Sequence, residues 1–555
     1  VLEYNYYLRF DPALGPFLLR ELDDSARAAA EARWAEATAQ LTTYLHQQRN
    51  SDPHLAAVLT LQELPNLLAA LEWRSRGAAA GAIGVETVID QADSVEYLLQ
   101  NLGRPRALQR AVAVRERGAA AVKDSGWSHA RHLAESNTVE RLIDAGRAAE
   151  AVPLALRLLA EATAAGEEAY QDAAYDMAIC HARLGRALKE SGEAPAALGP
   201  LDEARARFQL LAEAGDRSAV RMVSTCLAVQ ADALRALGRL DEAAATYEEA
   251  IELAQQRGDP RDVAIGRSQL GTVRLLQRRY GDAFTAYDEA RQTFEGLGEP
   301  PMVAWAWHHM GVLLRRAEQY DAAETAYLNA RRVYVDLGDR PKEAATLSEL
   351  GNLYGAMGRH EDAVRFYREA ATIYADPAVR DALGEGRQHG NAANSLRKLG
   401  RLDEARREVE RAIACLQPIG HAAEPWKAFG ILSEIEQDAG RPEAAFEAWR
   451  RVIETYLAYR RDGGENLSGD ETVKLCEELL GAVEEGRLAE FGAALDRLDG
   501  RSEKPAYLVP VSKALRAILV GNRDPALADD PALDYDDAAE ILLLLERLRD
   551  LQQVP

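Results

Sequence analysis

Between Val263 and Tyr374, apolar residues recur three and four positions apart, the spacing that lines one face of an α-helix, and each run stops at a short polar turn. The pattern reads SQLGTVRLLQRRYGDAFTAYDEA, then HHMGVLLRRAEQYDAAETAYLNA, then SELGNLYGAMGRHEDAVRFYREA. Gly271, Gly311 and Gly351 stand forty residues apart, and so do Ala283, Ala323 and Ala363 and the aromatics Tyr287, Tyr327 and Tyr367. In the middle copy, Trp307, Met310, Gly311 and Leu314 share one face of a first helix, and Tyr320, Ala323, Tyr327 and Ala330 one face of a second. Each unit is therefore a predicted helical hairpin. Glycine and alanine sit where two helix axes must approach closely, and the large residues fill the gaps this leaves. Gly258-Asp259-Pro260, Gly298-Glu299-Pro300-Pro301 and Gly338-Asp339-Arg340-Pro341 fall between units, with glycine suited to a helix end and proline to a helix start. One hairpin leaves an apolar face uncovered, so at least three must stack, and the predicted fold is an all-α solenoid.

Weaker copies flank these three. The turns of the whole series fall at Gly103, Gly146, Gly192, Gly238, Arg278, Glu318, Gly358, Gly400, Gly440 and Gly486, with longer steps towards the ends. The expected organisation is a helical linker or cap over 1–80 and a solenoid of about ten units over 81–500, regular from about 220 to 460. Capping helices follow over 501–555. Arg461 to Asp470, reading RDGGENLSGD, is polar and glycine-bearing and is expected to be a loop that interrupts the stack.

Charge narrows the partners. Against 66 Lys and Arg stand 89 Asp and Glu, a net charge of −23 over 555 residues, which argues against nucleic acid and anionic membranes. The four cysteines, Cys180, Cys226, Cys415 and Cys476, form no CxxC pair. Neither a zinc ribbon nor a disulfide framework is expected. No run of 18 apolar residues and no leader pattern occurs, so a cytoplasmic location is expected, and the missing initiator methionine suggests that Val1 opens a fragment of something longer.

Candidate chemistry is sparse. There is no G-x-x-x-x-G-K-[ST] loop, no G-x-S-x-G elbow and no Cys-His signature, so no enzyme, cofactor or catalytic residue is expected. Gly384, Gly386 and Gly390 approach a dinucleotide fingerprint with the wrong final spacing, and read as a flexible lead into the next repeat. His129 and His132, with Glu135 beyond, read as a solvated helix face rather than a metal pair.

A large residue, Leu/Met-Gly, another large residue and then Ala-x-x-x-Tyr-x-x-Ala resembles the tetratricopeptide repeat (TPR). The usual period is about 34 residues; the forty here, with Leu337-Gly338-Asp339 and Leu350-Gly351-Asn352, resembles the forty-residue subclass. That resemblance implies a superhelix of hairpins acting as an adaptor or peptide receptor. Phe10 to Leu18, the Ala- and Glu-rich stretch from Ser25 to Gln48, and LQELPNLLAALEW from Leu61 to Trp73 resemble the segment joining the winged-helix domain of bacterial NB-ARC (STAND-type) signalling ATPases to their TPR array. A plain helical cap is the other reading of these residues.

By the family's geometry, the first helix of each unit lines a groove. Over seven units the groove positions carry nine basic residues against four acidic ones, the reverse of the chain's own sign. The resemblance implies a peptide-binding groove formed by His308, Arg315, Arg316, Ser348, Asn352, Arg387, Asn391, Asn394, Arg397, Lys398 and Lys427. Asparagine amides would hold the ligand backbone, and arginines its carboxylates. Alanine at Asn352 and Arg397 is expected to weaken capture and to change stability by no more than about 0.5 kcal/mol. The function expected is a non-catalytic protein- or peptide-binding scaffold, the ligand-sensing module of a STAND-type ATPase whose nucleotide-binding domain lies upstream in the same polypeptide. The alternative is a stand-alone cytoplasmic adaptor.

Overall fold

The computed structural model describes residues 2–4, 7–9, 21–51, 53–99, 102, 104–122, 126–464, 470–499, 505, 508–530 and 532–553. Phe10 to Leu18, Gly103 and residues 465–469 of the expected loop lie outside the described residues. The chain divides into two compact units, Val1–Arg278 and Arg279–Pro555. Apart from a two-stranded antiparallel pair, Leu2–Tyr4 with Tyr7–Arg9, the described regular structure is helical. Each unit is a solenoid of helical hairpins.

In the first unit the hairpins are Asp24–Ser51 with Pro53–Ala79, Val85–Leu99 with Pro105–Val122, His129–Asp144 with Ala148–Ala165, Ala173–Glu190 with Ala194–Glu213, and Arg217–Ala236 with Leu240–Gln256. Helix Pro260–Leu276 ends it. The LQELPNLLAALEW segment lies inside Pro53–Ala79, where Leu68 and Leu71 pack against Val88, Ala92 and Val95, and Trp73 Nε1 donates to Glu31 at 3.0 Å. Within it, Leu55–Ala79 is long and apolar enough, by length and composition alone, to cross a membrane.

The second unit opens with helix Tyr280–Gly296 and continues with the hairpins Pro300–Arg316 with Tyr320–Leu337, Arg340–Ala356 with His360–Tyr374, Ala382–Lys398 with Leu402–Leu416, and Pro425–Asp438 with Pro442–Arg461. Helices Asp470–Glu484, Leu488–Asp499, Leu508–Leu519 and Tyr535–Gln553 close it around a core that includes Leu479, Leu495, Leu515 and Leu544.

The repeated residues build these hairpins as their spacing predicts. Tyr327 and Tyr367 are buried, and each ring packs so closely on the facing glycine that a Cβ there would stand 2.6 Å from the Tyr327 ring at Gly311 and 2.4 Å from the Tyr367 ring at Gly351. Helix starts are fixed by side-chain caps: Asp339 accepts from Lys342 N and Asp381 from Gly384 N, meeting amide donors left over at a helix start. Turn glycines such as Gly358 and Gly400 take φ near +70°. Arg278 and Glu318 occupy the same turn position and take φ of 60° and 59°.

One expectation is corrected here. Gly384, Gly386 and Gly390 are not a flexible lead; they belong to helix Ala382–Lys398, and a Cβ on Gly386 would meet Leu416 at 2.6 Å. The glycines serve close packing.

Candidate functional site

The eleven residues singled out from the groove pattern all fall in the second unit, on four first helices: Pro300–Arg316, Arg340–Ala356, Ala382–Lys398 and Pro425–Asp438. Several are spent inside the fold. The His308 ring reaches Thr346 Oγ1 at 3.1 Å and is pushed below its ordinary pKa by burial. Arg315 pairs with Glu349 at 3.2 Å. Ser348 donates to Ala344 O at 2.9 Å. Asn352 donates to Glu349 at 3.3 Å and accepts from the Tyr367 hydroxyl at 2.8 Å. Arg397 holds both Glu434 and Asp438, each at 3.0 Å, and Lys427 holds Glu424 at 2.7 Å.

The others remain open. Arg316, Arg387, Asn391 and Lys398 are exposed, and their side chains make no ion pair or hydrogen bond among the described residues. Asn394 is half-buried, and its Oδ1 is sheltered from solvent with no donor facing it. Arg387, Asn391, Asn394 and Lys398 are spaced four, three and four along one helix, which places them on a single face. Lys427 also borders a cleft of about 840 Å³ walled by Trp426, Ile431, Phe446, Trp449 and Tyr535.

A second cleft lies in the first unit. It has a volume of about 740 Å³ and is walled largely by Val85–Leu99 and by the first helices of the next three hairpins. Five arginines (Arg115, Arg141, Arg183, Arg186 and Arg221) and four carboxylates (Asp93, Glu96, Glu140 and Asp144) line it. Arg115 is buried and pairs through Nε with Glu96 at 2.5 Å. Arg186 holds Glu140 and Asp144. Burial disfavours the charged forms on both sides, raising Asp93 and Glu96 and lowering Arg141, Arg183 and Arg186. Arg186 was legible as a basic groove position; Arg115, Asp93 and Asn137 precede the regular repeats, where no forty-residue frame marks them.

Next to this cleft lies a buried polar cluster. Asp176 accepts from Tyr170 Oη at 2.7 Å and meets His129 Nδ1 at 2.7 Å and His132 Nε2 at 3.5 Å. Cys180 Sγ is 3.6 Å from His132 Nδ1. The expectation of a solvated histidine face is thus corrected for His132, which is 2% exposed. Its two nitrogens face different partners, so the ring joins two helices instead of turning towards a shared point with His129. The hydrogen bond that His129 donates to Asp176 raises His129, whereas burial drives His132 down to about 4 and Cys180 up to about 12. A thiol so strongly protonated is a poor nucleophile. Among the described residues, the carboxylates placed closely enough to share a cation are Asp534, Asp536 and Asp537.

The model of the tetratricopeptide repeat family matches residues 224–296 and 302–376. The chain carries tetratricopeptide repeats. No curated protein matches it. Among solved structures, BtubC (BKLC) from P. vanneervenii is similar at 23% identity and a TM-score of 0.35, over 43% of this chain and 91% of that one. A signal transduction ATPase with numerous domains, bearing a TPR sensor, from Pyrococcus horikoshii is similar at 15% identity and a TM-score of 0.46, over 68% of this chain and 54% of that one. This TPR chain therefore spans about half of that ATPase's length. The apo quorum sensor NprR from B. thuringiensis is similar at 14% identity and a TM-score of 0.44, over 66% and 97%.

Proposed function

We propose that this TPR chain is a non-catalytic protein-binding scaffold that holds an acidic or carboxylate-bearing peptide along the first helices between Pro300 and Asp438. The observation that carries this reading is the open stripe Arg387, Asn391, Asn394 and Lys398. The neighbouring cations Arg315, Arg397 and Lys427 are neutralised within the fold, but this stripe keeps its charges and most of its amide capacity for something else. One cation at each end suits carboxylates, and the two amides between them offer the donor and acceptor pairs an extended backbone needs. Against a net charge of −23 over the whole chain, such a basic stripe is a directional feature for an acidic partner.

In its finer form the scaffold is the ligand-sensing module of a STAND-type signalling ATPase. Capture along the stripe would shift the module between two arrangements relative to a nucleotide-binding domain of the same polypeptide. A shift of this kind needs a ligand with different affinities for the two states. The helical pairing of Asp24–Ser51 with the LQELPNLLAALEW helix supports this form, because both segments carry the linker resemblance. The test is a titration of the whole chain with an acidic peptide, repeated with Arg387→Ala/Lys398→Ala. The double variant is expected to weaken binding by about tenfold or more, as loss of charge-assisted hydrogen bonds does, at an unchanged melting temperature. Equal affinity would remove the stripe from consideration. A phosphate-loop coding segment upstream of Val1 would favour the sensor, and its absence the cytoplasmic adaptor.

A further inference from the structure

We infer that the cleft of the first unit is a second, separate recognition site that takes one anionic group, a carboxylate or a phosphate, between Arg115 and Arg183. It deepens the scaffold reading and rests on it only for the view that this chain binds ligands. Two observations point the same way. Arg115 is 1% exposed, its Nε is committed to Glu96, and its Nη2, in a side chain that lines the cleft, is buried with no acceptor facing it. A buried charged donor without an acceptor is costly unless a ligand or solvent supplies one. Arg183, which also lines the cleft, gives its two terminal nitrogens to neutral oxygens, Ser136 Oγ and Asn137 Oδ1. Its nearest carboxylate among the described residues is Glu140, at 3.7 Å.

The carboxylates already in the cleft do not fill this place. Glu96 answers Arg115, and Glu140 and Asp144 answer Arg186. Asp93 lies within electrostatic reach of both Arg115 and Arg183, but it accepts from Asn137 Nδ2 at 2.6 Å, and burial raises its carboxyl, which weakens it as a counter-ion. Five guanidinium groups against four carboxylates leave the cleft one positive charge in excess, in a chain that carries −23. Asn137 links the two sides: its amide nitrogen holds Asp93 and its amide oxygen holds Arg183, so the fork is set in place before any ligand arrives. A single anion bridging Arg115 Nη2 and Arg183 would satisfy the idle donor and offset the desolvation of both cations.

The experiment is calorimetric titration of the full chain at low ionic strength with acetylated, amidated tetraglutamate and, separately, with inorganic phosphate. Variants are Arg183→Gln and, since a buried arginine can also serve the fold, Thr225→Glu, which sets a carboxylate on an exposed residue of the cleft wall and leaves both arginines in place. Either variant is expected to weaken binding about tenfold or more. Tetraglutamate binding without phosphate binding assigns a peptide carboxylate as the source; binding of both assigns the shared anion chemistry to small ligands as well. Binding of neither, or binding indifferent to Thr225→Glu, would overturn the inference. Loss of peptide binding only in Arg387→Ala/Lys398→Ala would likewise overturn it while sustaining the stripe in the second unit.

Discussion

The hydroxyl of Tyr367 donates to Asn352 Oδ1 at 2.8 Å, tying the second helix of a hairpin to the inner residue of the first. Asn352 is therefore a structural partner of a phenol that is 5% exposed. Alanine at Asn352 strands the hydroxyl in the interior and is expected to cost about 1–2 kcal/mol. This replaces the small effect expected from sequence. Tyr367→Phe removes the donor and leaves the half-buried amide access to water, so it should cost less. Urea midpoints of the two variants check the order; an Asn352→Ala midpoint equal to the parent's would refute it.

Gly351 and Gly355 lie one turn apart in helix Arg340–Ala356, yet their surroundings differ. A methyl on Gly351 would stand 2.4 Å from the Tyr367 ring, but one on Gly355 meets only the Tyr367 hydroxyl, at 3.9 Å. Gly351→Ala is expected to destabilise by about 1–3 kcal/mol through overpacking. Gly355→Ala should stabilise by roughly 0.5–1 kcal/mol, the helix-propensity difference. Thermal melts that move in the same direction would contradict this.

Glu318 holds φ at 59° in a turn where Gly358 and Gly400 hold 72° and 70°. A side chain with a Cβ is strained there, and Glu318→Gly relieves it. The expected gain is about 0.5–1 kcal/mol once the added freedom of glycine in the unfolded chain is counted. An unchanged or lower melting temperature would show that the side chain offsets its strain.

Burial drives His309 down to about 4, with His308 beside it adding to the effect, and the ring lies 4.0 Å from that of Trp305. Unfolded, the ring takes up its proton near pH 6.5. The unfolded state therefore binds more protons between these values, so the stability contribution is complete above about pH 6.5 and is lost as pH falls towards 4. His132 has the same sign, and His129, raised by Asp176, the opposite one. His309→Phe is expected to flatten the fall in melting temperature between pH 7 and pH 5. Parallel curves for parent and variant would exclude His309 as a contributor.

The hairpins were legible because Gly311 with Tyr327 and Gly351 with Tyr367 are paired at fixed distance along the chain, and the contact that demands the pairing is local. The charge of the inner face was less legible. Glu349 lies outside the positions counted as groove-facing, yet it pairs with Arg315. Glu140 and Asp144, which neutralise Arg186, belong to the preceding hairpin. The first-unit cleft was hidden for a related reason: Arg115, Asn137 and Arg183 come to line one cleft through tertiary packing across unequal repeats, and no spacing in the sequence encodes that.

Glu349 alone holds Arg315, Asn352 and, at 3.4 Å, the Tyr327 hydroxyl. One carboxylate thus engages a guanidinium of the preceding hairpin and an amide of its own helix. Specificity along such a surface can be gained by subtraction: exchanging Glu349 for glutamine would unmask Arg315 without adding a single positive residue, a gain visible as tighter capture of an acidic peptide. Divergence among arrays built this way would be written in their missing acids.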